Sequence, residues 1–170
     1  MDFMRRIASG TLGGVGGTLV LTGFRQVLTA TGLVGVTAPE QVIVRLEELG
    51  LLGDPSPEAR RLLSAIAHLA YGVGLGSALG LLRRERGGMA EETAVGAALG
   101  LLAWGANWTV LLPSTGVHQP PWKERFPKVF LPILDYAVYG AAWGAVQGFE
   151  VESGLGIPGK RVCPVQESPL

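Results

Sequence analysis

The chain has 170 residues, enough for one domain, and 14 Lys+Arg balance 14 Asp+Glu to a formal net charge of zero. That balance excludes a nucleic-acid-binding face, which needs clustered excess basic charge; the single cysteine, Cys163, excludes an intramolecular disulfide and a Cys-based zinc site. Only 16% of residues are charged, against about 25% in soluble domains, and 26 are glycine, well above the usual share of about 7%.

Those glycines recur at helical spacing inside apolar runs. The first run, residues 7–28, is too long for the apolar core of a cleaved signal peptide and reads as an uncleaved span. It holds two overlapping pairs, Gly10 with Gly14 and Gly13 with Gly17, and has Thr22 and Arg25 near its end. In the long connection that follows, Thr37 and Glu40 form a capping box around Pro39. The helix they start, residues 38–50, has Val42, Ile43, Leu46 and Leu49 on one side and Arg45, Glu47 and Glu48 on the other. Such a helix is predicted to lie on a membrane surface. Ser56 and Pro57 cap the approach to the second run, residues 62–82. There Tyr71-Gly72 is followed by Gly76 and Gly80, and Arg83, Arg84 and Arg86 end the run. The third run, residues 93–112, includes Gly96, Gly100, Trp104, Asn107 and Trp108 and is predicted to stop at Pro113. After a connection rich in proline and aromatics, the fourth run, residues 129–149, repeats the pattern as Tyr139-Gly140, Gly144 and Gly148. A polar tail, residues 150–170, follows.

Each run has the length needed to cross about 30 Å of hydrocarbon at 1.5 Å per residue. In water each helical glycine costs about 1 kcal/mol relative to alanine. In a bilayer an unmade backbone hydrogen bond costs more, and bare glycine stripes let two helices approach closely. The predicted fold is therefore all-α: an integral membrane bundle of four transmembrane helices with one interfacial amphipathic helix. Gly72, Gly76 and Gly80, and Gly140, Gly144 and Gly148, are its predicted packing faces, with a further role in self-association to a homo-oligomer. A soluble helical protein with a glycine-rich core is the alternative raised by the mean hydropathy of +0.34; the proline- and charge-rich connections account for that low average. The two Tyr-Gly copies, with Gly10 and Gly14 matching Gly96 and Gly100, read as a duplicated two-span hairpin whose units share an axis along the membrane normal. Lys and Arg divide evenly between the two faces, and the compact Arg83–Arg86 loop decides for both termini in the cytoplasm.

Counting residues from the ends of the runs places Thr22, Arg25, His68, Asn107, Asp135 and Tyr136 in one layer, inside the face opposite the amino terminus. Ionisable groups at such depth are costly and face an interior or a water-filled path. They are predicted to form a small polar pocket in which Arg25 pairs with Asp135 beside His68, lidded by the loop from His118 to Trp122. The structural alternative is that these groups only hydrogen-bond across helices and keep the bundle in register. His68 and His118 lack the local companions of a metal or haem site. The four tryptophans read as packing and interface anchors. No phosphate loop, nucleophile elbow or metalloprotease motif is present. The functional expectation is a non-enzymatic, cofactor-free membrane protein that handles a small solute or protons. An accessory or scaffold subunit of a larger membrane complex is the first alternative, and a haem- or quinone-binding module the second.

The layout resembles small bacterial inner-membrane proteins of the YagU type, whose function is unknown. The features that carry the likeness are four short glycine-rich spans, the Pro39-Glu40-Gln41 helix after the first span, His68-x2-Tyr71-Gly72 in the second, and a proline-rich loop before a fourth span with Asp135-x3-Tyr139-Gly140. The resemblance covers residues 7–149 and implies a multi-pass inner-membrane location.

Overall fold

The structure, a computed structural model, describes residues 2–32, 38–117, 119–123 and 129–155. These residues form helices, and no strand occurs among them. In chain order they are α1 (Asp2–Ala30), α2 (Ala38–Glu48), α3 (Pro57–Leu82), α4 (Met89–Ala106), a π-helical turn (Asn107–Leu111), α5 (Leu112–Ser114), a 3-10 turn (Pro121–Lys123) and α6 (Phe130–Glu152). The four long helices alternate in direction. Three segments, Phe3–Ala30, Pro57–Leu82 and Met89–Ser114, are long and apolar enough to cross a membrane. The fourth helix, α6, is not among them. Its apolar average is lowered by Asp135 and Gln147, side chains that it buries against its neighbours.

Local signals account for several boundaries. The Ser56 hydroxyl accepts a hydrogen bond from the Ala59 amide at 3.2 Å, and Pro57 occupies the first turn of α3. Thr37 of the expected capping box lies outside the described residues. Pro113 does not stop the third run, which continues to Ser114. A proline ring clashes with the carbonyl four residues back in a regular helix. Here the π-helical turn directly precedes it, and the Leu112 amide reaches back to the Asn107 carbonyl, so the helix is widened where the ring must fit.

Glycine sets the packing. α1 presents two rows to two partners: Gly10 and Gly14 lie against α3, while Gly13 and Gly17 lie against Trp143 and Tyr139 of α6. A Cβ on Gly76 would sit 2.5 Å from the Gly14 Cα and 2.6 Å from the Gly10 oxygen. In the α4–α6 pair, Gly96 and Gly100 meet Gly140 and Gly144 at similarly close range. The adjoining row of α6 carries Tyr139, Trp143 and Gln147, which donate to backbone carbonyls on its neighbours. Tyr139 Oη bonds Gly72 O at 2.5 Å, Trp143 Nε1 bonds Gly76 O at 3.2 Å, and Gln147 Nε2 bonds Ser9 O at 2.9 Å. α6 is thus the central helix, with α4 on its glycine face and α1 and α3 on its polar-aromatic face. All six glycines of the two Tyr-Gly motifs are consumed inside the chain, which removes the glycine argument for self-association. The two antiparallel pairs also differ in register. Gly76 faces Gly10 and Gly14, and the residue that faces Gly96 and Gly100 in the same way is Gly140, one turn before the Gly144 that the sequence alignment pairs with Gly76.

The burial pattern is inverted relative to a water-soluble protein. Trp143, Gln147 and Glu92 are the largest fully buried side chains, whereas Leu19, Leu62, Ile66, Leu102 and Val110 are all more than half exposed. In water such a belt would be an aggregation surface; in lipid it is the expected outer wall.

A polar cluster that sequence reasoning did not find closes the end of the bundle nearest the amino terminus. The Arg86 side chain is fully buried, and its Nη1 donates to the Ser9 hydroxyl at 2.5 Å and to Glu150 Oε2 at 3.3 Å. Ser9 also hydrogen-bonds Gln147 at 3.1 Å. Glu92, 0% exposed, accepts from Arg83 at 2.8 Å and from the Gly87 amide at 2.6 Å. Burial lowers the Arg86 pKa from its ordinary value, with Glu150 and Glu92 opposing the shift, and the hydrogen bond to Glu92 raises that of Arg83. Removing one partner of a buried ion pair leaves the other charge uncompensated. Arg86→Ala is therefore expected to cost about 3 kcal/mol, seen as a fall in thermal midpoint in detergent. Arg84→Ala, at an exposed position two residues away, should stay within about 0.5 kcal/mol of the parent.

Candidate functional site

At the opposite end, the last turns of α1, the first half of α3, the π-helical turn and the start of α6 converge. Arg25 donates from Nε (3.1 Å) and Nη2 (2.5 Å) to one oxygen of Asp135, and the two side chains are 20% and 8% exposed. The bonds are charge-assisted and screened from water, hence stronger than a surface pair. Beside them runs a second chain of contacts. The Asn107 amide donates to the Tyr71 hydroxyl, which lies 2.9 Å from the Tyr136 hydroxyl; the two tyrosine rings meet edge to face at 6.4 Å between centroids. Asn107 also donates to the Ala103 carbonyl at 3.0 Å, which fixes its rotamer.

These groups border a cavity of about 530 Å³, inside the range of about 300–1,000 Å³ typical of ligand pockets. Arg25, His68, Asn107, Asp135 and Tyr136 all line it. Most of the wall is apolar, including Leu21, Leu75, Trp108 and Leu111. The π-helical turn has a local role here. One extra residue per turn brings both Asn107 and Trp108, and again Leu111 and Leu112, onto the cavity face.

The cover differs from the sequence expectation. The described part of the loop once expected as a lid, residues 119–122, contributes nothing to the lining, and His118 lies outside the described residues. The roof is α2. Pro39, Val42, Leu46 and Leu49 face the cavity, and Glu47 grips Arg60 at the start of α3 through two bonds of 2.9 and 2.7 Å. The apolar side of α2 covers the cleft between the long helices. Arg45 also differs from the sequence expectation. It was placed on the polar side, yet it lines the cavity, with Nη1 on Glu48 at 2.9 Å and a buried Nε that has no hydrogen-bond partner.

Of the predicted layer, Thr22 is the one member absent from the lining; its hydroxyl returns to the Thr18 carbonyl at 2.7 Å. Tyr71 and Thr18 are members that the reading missed. Tyr71 lies three residues after His68, on the neighbouring stripe of the same helix face, so the spacing rule that selected His68 could have selected it too.

Chemically, the site joins an apolar chamber to a rim of donors and cations. Among the described residues, no group of three or more His, Cys, Asp or Glu is placed to hold a metal ion. Comparison with protein-family models, with curated proteins and with solved structures finds no match.

Proposed function

We propose that the chain is an integral membrane protein with four spans, α1, α3, α4 with its continuation to Ser114, and α6, whose intramembrane cavity holds a small amphipathic solute. The observation that carries this reading is the cavity itself: a largely apolar chamber of about 530 Å³ with Arg25, His68, Asn107 and Tyr136 gathered on its wall. The central position of α6 supports counting it as a span, since its polar side chains meet helices rather than lipid. The arginine-rich loop after α3 supports both termini being cytoplasmic, and the YagU-type layout supports a cell inner-membrane location.

The reading is tested by what the protein retains. Gentle extraction followed by denaturing release and mass spectrometry should yield an amphiphile enriched over bulk lipid. Ala67, half-buried on the cavity wall, offers the means to fill the space. Ala67→Phe should lower the retained amount by about tenfold, the equivalent of about 1.4 kcal/mol, with the helical spectrum unchanged. Equal retention by both proteins would overturn the proposal.

A further inference from the structure

The charges that face the cavity are unequal in sign. Arg25 and Arg45 line it against a single carboxylate, Asp135, and that carboxylate is engaged by Arg25. Arg45 is the cation with capacity to spare. Its one carboxylate partner, Glu48, holds only Nη1 and does not line the cavity; its Nε is buried with no acceptor; and its Nη2 lies near Gly116, where an added Cβ would stand 3.2 Å away. The Arg45 side chain is 37% exposed, so part of its guanidinium is open to a partner, and an anion on the solute would supply an acceptor. The apolar walls of α1, α3 and the π-helical turn require the remainder of that solute to be hydrocarbon.

We infer that the solute is an anionic amphiphile, an apolar chain ending in a carboxylate or a phosphate, with its anion at Arg45 under α2 and its chain along Leu21, Leu75 and Trp108. The inference rests on the cavity being a ligand site and adds to it the sign of the head group. Arg25 is held by Asp135 and sets the depth of the cationic rim; Arg45 reads the ligand. An acid chain and a phosphorylated chain share the recognised chemistry, and direct comparison separates them.

The experiment uses the full chain in nanodiscs of zwitterionic lipid and follows its tryptophan fluorescence. The probes are single-chain compounds of equal length, brominated at the same carbons, ending in a carboxylate, a phosphate monoester or a neutral alcohol. Trp108 lies on the cavity wall, so occupancy appears as saturable quenching that Trp108→Phe removes. At least one anionic probe should bind about tenfold more tightly than the alcohol, the worth of one charge-assisted hydrogen bond. Which of the two does so identifies the head group. Arg45→Gln should erase that preference while leaving the alcohol unchanged, and Arg45→Lys should keep most of it. If the alcohol binds as well as both anions and Arg45→Gln changes nothing, the inference fails while the cavity remains a ligand site. If no probe quenches saturably, the ligand-site reading fails with it.

Discussion

Gly144→Leu is expected to prevent α4 and α6 from assembling, and Gly76→Leu to do the same for α1 and α3. At Gly144 an added Cβ would land on the Glu92 carbonyl oxygen, with the Thr93 Cα at 3.1 Å; at Gly76 it would meet the Gly14 Cα at 2.5 Å. Both obstacles are backbone, which cannot swing aside as a side chain can, so the helices must separate along their length. Even alanine should cost about 2–3 kcal/mol at either site, in the upper part of the range for overpacking. For a chain of this size that corresponds to a fall in thermal midpoint of about 4–12 °C. The molecule contains its own controls. Gly23, Gly74 and Gly105 lie in the same helices with nothing within 4 Å of an added Cβ. Alanine there should be neutral or stabilising by up to about 1 kcal/mol. A thermal melt of the five alanine variants in one detergent decides the matter: equal losses at crowded and open positions would refute close backbone packing as the source of stability.

Asp135→Leu is expected to destabilise the protein by about 3 kcal/mol or more, because it leaves the Arg25 guanidinium at the mouth of an apolar chamber without its carboxylate. The partial exposure of Arg25, 20%, allows some relief by water and keeps the cost toward the lower part of the range for broken buried pairs. Arg25→Met should cost a comparable amount, since Asp135 is the more deeply buried partner. The double variant should recover most of the loss, as two apolar side chains restore a matched interior. The coupling energy from a double-mutant cycle, read from chemical or thermal unfolding, is expected to be at least about 2 kcal/mol. Additive losses would mean that the two groups act separately and that the short contact does not bind them.

The helices were legible because apolar runs bounded by arginine, proline and serine leave little choice of period. Residues 62–82 fall within α3 and 130–149 within α6, and the Arg25–Asp135 contact is one that shared depth allows. What was not legible depends on three-dimensional neighbours. Arg86 reads as one more basic residue in a loop; its burial comes from Ser9, Gln147 and Glu150, which lie far away in sequence. Arg45 and Glu47 are both charged but stand about 200° apart around α2, so Glu47 turns to Arg60 while Arg45, flanking Val42 and Leu49, turns to the cavity. The π-helical turn has no composition of its own, and Pro113 signals a stop as readily as a bulge. The register of the second helix pair lies one turn away from the sequence alignment, with Gly100 against the Tyr136 backbone and Gly148 against the Met89 backbone, and the glycine spacing that both pairs share does not fix it.

Residue accessibility from the two sides of the membrane tests the four-span arrangement most directly. In a Cys163→Ser background, single cysteines would replace Asp54, Arg84, Lys123 and Leu155, which are exposed at the ends of the long helices. An impermeant thiol reagent should reach positions 54 and 123 from one side only, and 84 and 155 from the other. Labelling of 84 and 155 from opposite sides would show that α6 does not cross, and the account would fall.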